Sequence, residues 1–349
     1  MLPHENTTRL ISLDMELACR PKLRGINGPR NLSSAGGLQP KQLPTQPMDR
    51  ISWLMLISLS ILWGGSFFFT EIALVDLPPL TLVLCRVSIA TMVLWWVVLL
   101  RDIAIPRDPK FWVGVAVMGG LNNLIPFCLI VWSQTQITSS LAAILNATTP
   151  LFTLLIAHIA TDSEKLTLRK TIGVLIGFGG VIVIFGLPTS GNTMGLLAPG
   201  AVLLAAFSYG CAGVFGRRFA TTPPILTAAG MTSASSLMLL PLSIIVDQPW
   251  HLPVPTTSTI LAVLGFATLS TALAYILYFA ILKRAGASNL LLVTFLIPVS
   301  AILLGVGFLG EVLLAQHMIG MAVIGFGLLV IDGRILSRPK PAQPVTPTK

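Results

Sequence analysis

The sequence predicts an all-α membrane protein in which ten transmembrane helices form two five-helix repeats of opposite orientation, with both termini cytoplasmic. Three observations carry this expectation. Only 10% of the 349 residues are charged and 54% are hydrophobic, against roughly 25% charged in an ordinary globular chain. Ten apolar runs, each close to the ~20 residues that cross a bilayer, fill the chain from residue 51 onward. Of the 22 Lys and Arg residues, 21 lie in the two tails and in every second loop between those runs. A mean hydropathy of +0.85 over the whole length excludes a soluble body with one or two anchors, which would dilute the value towards zero.

The runs lie at 51–74, 79–100, 111–133, 137–160, 168–187, 194–216, 224–246, 257–281, 286–310 and 314–332. Lipid gives backbone N–H and C=O groups no partner, and the alternation of a membrane β-strand is absent, so each run reads as a helix. Pro78-Pro79, Pro188, Pro223-Pro224 and Pro253 punctuate the ends. Residues 1–47 are polar, rich in Pro, Gly and Ser and without apolar periodicity, which predicts a disordered cytoplasmic tail; Met48, just before the first run, is an alternative start. Residues 335–349 form a second cytoplasmic tail.

Orientation follows from charge, because cytoplasmic loops retain Lys and Arg. The N-terminal tail holds seven, from Arg9 to Arg50. Arg101, Arg107 and Lys110 follow the second run; Lys165, Arg169 and Lys170 the fourth; Arg217 and Arg218 the sixth; Lys283 and Arg284 the eighth; Arg334, Arg338, Lys340 and Lys349 end the chain. The intervening loops contain none. This scatter in small clusters also excludes nucleic acid as the partner of the net +9 charge, since that function needs a continuous basic patch. Cys19, Cys85, Cys128 and Cys211 show no Cys-x-x-Cys spacing, so reduced thiols are expected, and no metal or cofactor.

The chain aligns with itself at a shift of 148: Leu175-Ile176-Gly177-Phe178-Gly179-Gly180 falls on Val323-Ile324-Gly325-Phe326-Gly327-Leu328, Pro150 on Pro298, and Ser140 on Ser288. Trp63-Gly64 pairs more loosely with Tyr209-Gly210 at 146. The repeats are 51–187 and 194–334. Five helices is an odd number, so the second copy enters the bilayer from the opposite face. Two similar packings of opposite topology supply the outward-open and inward-open states of a secondary transporter.

Several motifs carry a family resemblance. The first run contains Leu62-Trp63-Gly64-Gly65-Ser66 followed by Thr70-Glu71, and a prolyl turn leads to a second run with Arg86. The fourth contains Ser139-Ser140-Leu141 and Asn146 to Pro150, then Glu164-Lys165 before the glycine-rich fifth. The ninth runs from Gly286 through Pro298 to Gly310-Glu311, with Gln316-His317 beyond. This ordered set resembles the ten-helix EamA branch of the drug/metabolite transporter superfamily over residues 51 to 334. The resemblance implies eight helices around a central cavity with the fifth and tenth peripheral, and a bacterial inner-membrane exporter or facilitator of amino acids, metabolites or toxic compounds. Trp63, Arg86, Pro150 and Pro298 would lie at the cavity and gates. The tract aligned with Arg86, around Ser233, has no basic residue, so the halves are not equivalent.

Arg86 is the one Lys or Arg deep within a run, since Arg169 and Lys170 stand at the very start of the fifth. Intramembrane charge marks function by default, but the simplest role is a structural ion pair with Glu71 or Asp76, close in sequence and depth. Asn122 and Asn123, four residues before Pro126, point inward to neighbouring helices or to substrate. Asn146, Thr149 and Thr153 share one helical face, as do Thr271, Tyr275 and Tyr278, and Trp63, Ser66 and Thr70; Tyr209 stands opposite the last set by the repeat. These faces line a cavity or bind helices together. Pro126, Pro150 and Pro298 are candidate hinges or static kinks. Gly173, Gly177, Gly179, Gly180, Gly325 and Gly327 permit close helix approach, between the peripheral helices or in a homodimer.

These readings favour a secondary transporter of a small metabolite. A non-transporting sensor or scaffold finds no support in the residues. An integral membrane enzyme lacks clustered titratable groups: His158, His251 and His317 stand alone near helix ends, and neither His-Glu-x-x-His nor Gly-x-Ser-x-Gly occurs. No Walker motif appears, and the 13 acidic residues lie in tails, loops or helix ends with Glu71 deepest. Weak ion coupling or facilitated diffusion follows.

Overall fold

The computed structural model describes residues 48–161, 165–185 and 193–333; the tails at 1–47 and 335–349, and Glu164, lie outside them. Among the described residues the protein is helical throughout. Nine helices are long and apolar enough to cross a membrane: α1 (Arg50–Ala73), α2 (Pro79–Leu100), α3 (Pro109–Ser133), α4 (Ser139–Ala160), α5 (Leu168–Phe185), α6 (Leu197–Phe219), α7 (Pro224–Val246), α8 (Thr257–Gly286) and α10 (Ala315–Asp332). The shorter apolar α9 (Val293–Phe308) lies between the last two.

Four helices depart from the regular spirals read from hydropathy. α4 is interrupted at Ala147 and Thr148, just ahead of Pro150, which has no N–H to carry the ladder through. The run expected at 286–310 is also split. Gly286 adopts φ +80, a backbone angle that glycine tolerates and that ends α8; the regular part of α9 begins only at Val293, with Pro298 inside it. The break therefore comes about one helical turn earlier in the second half than in the first. In addition, α3 and α8 each contain a π turn, Gly120–Leu124 and Thr268–Leu273. Their first residues stand 148 apart, the shift at which the sequence repeats.

The helices of one half pack mainly against those of the other. α1 lies on α9 and α8, α2 on α7 and α8, α3 on α6 and α7, α4 on α6, and α5 on α10. Exchanging α1–α5 with α6–α10 in order converts each of these pairings into another of the same set, which is the mark of a pseudo-two-fold arrangement. The seam between α5 and α10 takes up the glycines noted in the sequence. A Cβ on Gly173 would stand 2.7 Å from the Gly327 carbonyl oxygen, and one on Gly180 the same distance from that of Gly320. Gly179 and Gly325 face open space.

Several loops meet at one end of the bundle through partly exposed carboxylates that cap helices from the other half. Asp247, after α7, accepts from the Thr81 backbone N–H at 2.6 Å and its hydroxyl at 2.9 Å. Asp76, after α1, accepts from the Thr256 N–H at 2.8 Å and from the hydroxyls of Thr256 and Thr259 at 2.7 Å each. Glu311, after α9, accepts from the Ser139 and Ser140 N–H groups at 2.7 and 3.0 Å and from the Ser140 hydroxyl. Each places a negative charge at a helix N-terminus, where the exposed amides and the helix dipole favour it. Asp49 caps α1 through the Ser52 N–H at 3.0 Å and pairs with Arg284 from the end of α8.

Candidate functional site

A polar cluster within the apolar body forms where α8, at and just past its π turn, meets Arg86 of α2 and the π turn of α3. A π turn adds one residue to a helical turn, so it leaves a main-chain carbonyl outside the regular ladder and redirects the side chains around it. In α3 the displaced carbonyls are met by neighbours: Ser208 of α6 donates to Leu121 O at 2.7 Å, and Ser235 of α7 shares its hydroxyl proton between Met231 O of its own helix, at 2.7 Å, and Gly119 O, at 3.0 Å. In α8 the helix serves itself, with the Thr271 hydroxyl donating to Phe266 O at 3.0 Å. An unmet buried carbonyl would cost about 1–3 kcal/mol, so these hydroxyls hold the turns open.

The α3 turn then presents its asparagines to Tyr275, two residues past the π turn of α8. Asn122 Nδ2 donates to the Tyr275 hydroxyl at 3.0 Å, and that hydroxyl donates to Asn123 Oδ1 at 2.9 Å. Asn122 Nδ2 also lies 3.2 Å from Asn123 Oδ1. Asn123 is fully buried, and its Nδ2 has no partner among the described residues.

Arg86 sits at the same level. It is 7% exposed, and its Nε donates to Thr271 Oγ1 at 2.8 Å. Its guanidinium carbon lies over the rings of Phe127, at 3.6 Å, and Phe266, at 4.0 Å, with Tyr209 and Tyr275 within electrostatic range. Desolvated cation–π contacts contribute about 2 kcal/mol each and a charge-assisted hydrogen bond about 1.5–3 kcal/mol. Together they offset the several kcal/mol that burial of a cation costs.

The ion pair expected between Arg86 and Glu71 or Asp76 is not formed. Asp76 is held by Thr256 and Thr259, whose donors keep its carboxyl below the usual carboxylate range. Glu71 lies 3.4 Å from Gln134 Nε2, which also donates to Phe67 O. Glu71 instead borders, with Glu311, Thr138, Thr256 and Thr259, a cleft of about 370 Å³ at the end where the carboxylate caps gather.

The structure thus brings together Arg86, Asn122, Asn123, Thr271, Tyr275 and, nearby, Tyr209. Other candidates lie apart from this cluster's bonds. Trp63 packs on Tyr278 with ring centroids 5.5 Å apart. Ser66 and Thr70 bond back to carbonyls of their own helix, as Thr149 and Thr153 do in α4; such bonds satisfy a hydroxyl locally. Asn146, at the break in α4, has a buried Oδ1 without a partner. Pro126 directly follows the π turn of α3 and is buried, Pro150 opens the second segment of α4, and Pro298 is buried within α9. Cys85, Cys128 and Cys211 are free thiols.

Phe127, Phe266, Ser208 and Ser235 were not singled out by the sequence. Phe127 follows Pro126 directly, and Phe266 stands five residues before Thr271, the spacing of a π-helical bond. Both signals are visible only once the turns are known.

A model of the EamA-like transporter family matches this chain twice, over residues 50–186 and 196–332. The chain belongs to the EamA-like transporter family. It is accordingly an EamA-type member of the drug/metabolite transporter superfamily, a multi-pass membrane transporter. Among its relatives, the "Uncharacterized inner membrane transporter YedA" of Escherichia coli K12 is 27% identical over 294 residues, spanning 83% of this chain and 92% of its own. The "Probable amino-acid metabolite efflux pump" of Salmonella typhimurium LT2 is 23% identical and spans 81% of this chain and 95% of its own. A solved crystal structure with 22% identity aligns at a TM-score of 0.60 over 83% of this transporter and 98% of that chain, which shows a shared fold.

Proposed function

We propose that this EamA transporter exports a small metabolite, an amino acid or a related compound, by alternating access between two inverted repeats, 51–187 and 194–334. The observation that carries the reading is the hydrogen-bonded link between the π turn of α3 in one half and the residue just past the equivalent π turn of α8 in the other. Asn122 and Asn123 of α3 are joined there to Tyr275 of α8, beside Arg86. Polar side chains gathered between two repeats within the membrane are where a transported molecule is held in such folds.

The loop pairings support inversion. The loops after α1, α3, α7 and α9 converge through Asp76, Glu311 and Asp247; these follow the first and third helices of the first repeat and the second and fourth helices of the second. With ten spans, counting α9, the basic loops and both termini then face the cytoplasm, and the carboxylate caps close the opposite face. The names of the E. coli and Salmonella relatives support an inner-membrane location and an amino-acid-like cargo moving outward. Pro126, Pro150 and Pro298 flank the cluster's helices as hinges. Glu71, in the cleft at the closed end, contributes little coupling.

Counterflow in proteoliposomes preloaded with individual unlabelled L-amino acids tests the reading. Labelled amino acid is expected to accumulate with wild-type protein and to be lost with Asn122→Leu at normal folded yield. Absence of exchange across the panel by folded wild-type protein overturns it. Proton-driven uptake abolished by Glu71→Gln would overturn the weak-coupling part alone, and surface labelling of a C-terminal tag in intact cells the topology.

A further inference from the structure

We infer that Arg86 is the receptor for the carboxylate of the transported molecule, which it binds end-on through its two Nη groups. The inference rests on the transport reading and names the chemical class its site selects. A guanidinium offers five N–H donors in a fixed fork. Here one of them, at Nε, is taken by Thr271, which removes the side-on edge that combines Nε with one Nη. The end-on edge, with both Nη groups, meets neither a carboxylate nor a carbonyl among the described residues.

Nothing described near it supplies a compensating negative charge. The contacts that hold Arg86 are two phenyl rings and a hydroxyl, which steady the cation without neutralising it. The polar atoms left over in the neighbourhood are donors as well: Asn123 Nδ2 is buried and unpartnered among the described residues, and the Tyr209 hydroxyl makes no hydrogen bond to any described residue. A site that offers an unneutralised fork and spare N–H and O–H groups, and keeps its carboxylates elsewhere, is built for an acceptor with a negative charge. Carboxylate matches the planar end-on edge with two parallel bonds.

The same geometry explains why Thr271 stands at this position. Its hydroxyl proton goes to Phe266 O, so its oxygen is left as acceptor for Nε. The π turn thereby fixes which edge of the fork is offered.

Thermal unfolding of the purified full-length protein tests this, with each proteinogenic L-amino acid compared with its amide, and with inorganic phosphate, at matched ionic strength. A ligand that binds the folded state raises the midpoint by mass action. At least one free acid is expected to raise it by several degrees while its amide does not. Arg86→Met is expected to abolish that rise and to leave the ligand-free midpoint unchanged or higher, because a cation without a counter-charge is removed. Arg86→Lys keeps the charge but not the fork, and is expected to weaken apparent affinity about tenfold or more; it also carries the test if the methionine variant fails to fold. The inference is overturned if no acid is preferred to its amide, if phosphate outdoes every carboxylate, or if the acid-specific shift survives in both variants. Counterflow with the same preparations separates the two readings. Exchange that persists in Arg86→Met leaves transport standing and removes the receptor, whereas acid-specific shifts without exchange in the wild type do the reverse.

Discussion

The π turns of α3 and α8 begin 148 residues apart and distort the backbone alike, but they are completed by different means. α3 borrows hydroxyls from two other helices, Ser208 and Ser235, and turns its own asparagines to Tyr275. α8 completes its turn from within, through Thr271, and uses that same hydroxyl to position Arg86. The repeat has preserved a backbone shape while the side chains diverged, one turn presenting a pair of asparagines and the other mounting a charge. α4 and α9 show a similar split, since one breaks beside Pro150 and the other carries Pro298 within a continuous helix.

The sharpest way to break this comparison is Thr271→Val, which strips Phe266 O and Arg86 Nε of a partner at once. Counterflow transport is expected to fall about tenfold or more, the consequence of losing an interaction worth roughly 1.4 kcal/mol, and Thr271→Ser to restore it. If the valine variant transports as well as Ser235→Ala, the distinction between the turns is wrong. Next in size is the pair Gly64→Ala and Gly210→Ala, which probes the equivalent contacts α1–α9 and α6–α4. A Cβ on Gly64 would strike Ser300 Oγ and stand 2.8 Å from Ala301 N; one on Gly210 would stand 3.0 Å from Thr153 N. Overpacking costs about 1–3 kcal/mol, and the Gly64 variant should show the greater loss of thermal midpoint.

Ser235→Ala should cost about 1 kcal/mol in denaturation with transport close to wild type, because that hydroxyl serves the backbone and not the cluster. The smallest effect concerns pH. The donors on Asp76 lower its pKa, so its contribution is present above the unfolded-state pKa and is lost only as pH falls through the depressed folded value. Stability of wild type and Asp76→Asn should therefore run parallel between about pH 5 and 8 and converge only in strong acid.

The helical runs were legible because hydropathy is a local property; α1, α2 and α7 end within a residue or so of where polarity and proline place them. Arg86 was equally legible as the lone cation deep in a run, but its partners were not. The neighbouring acids Glu71 and Asp76 suggested an ion pair, yet Asp76 is engaged by Thr256 and Thr259, some 180 positions away, a competition that a linear reading does not reveal. Pro126 flagged a loosened α3. α8 has no proline at its π turn; Thr271 was legible there as part of a polar face with Tyr275 and Tyr278, but the turn itself was not. The early break ahead of α9 escaped because the shift of 148 places it a turn too late.

Each of the three carboxylate caps joins a loop of one half to a helix of the other, Asp76 to α8, Asp247 to α2 and Glu311 to α4. Removing any one leaves two inter-half ties in place, so single substitutions should be nearly silent in function and their combinations steeply non-additive. Sequence change at these acids is then expected to be constrained jointly: the loss of one is tolerated only while the other two remain, a pattern of epistasis spread over loops that never touch in sequence.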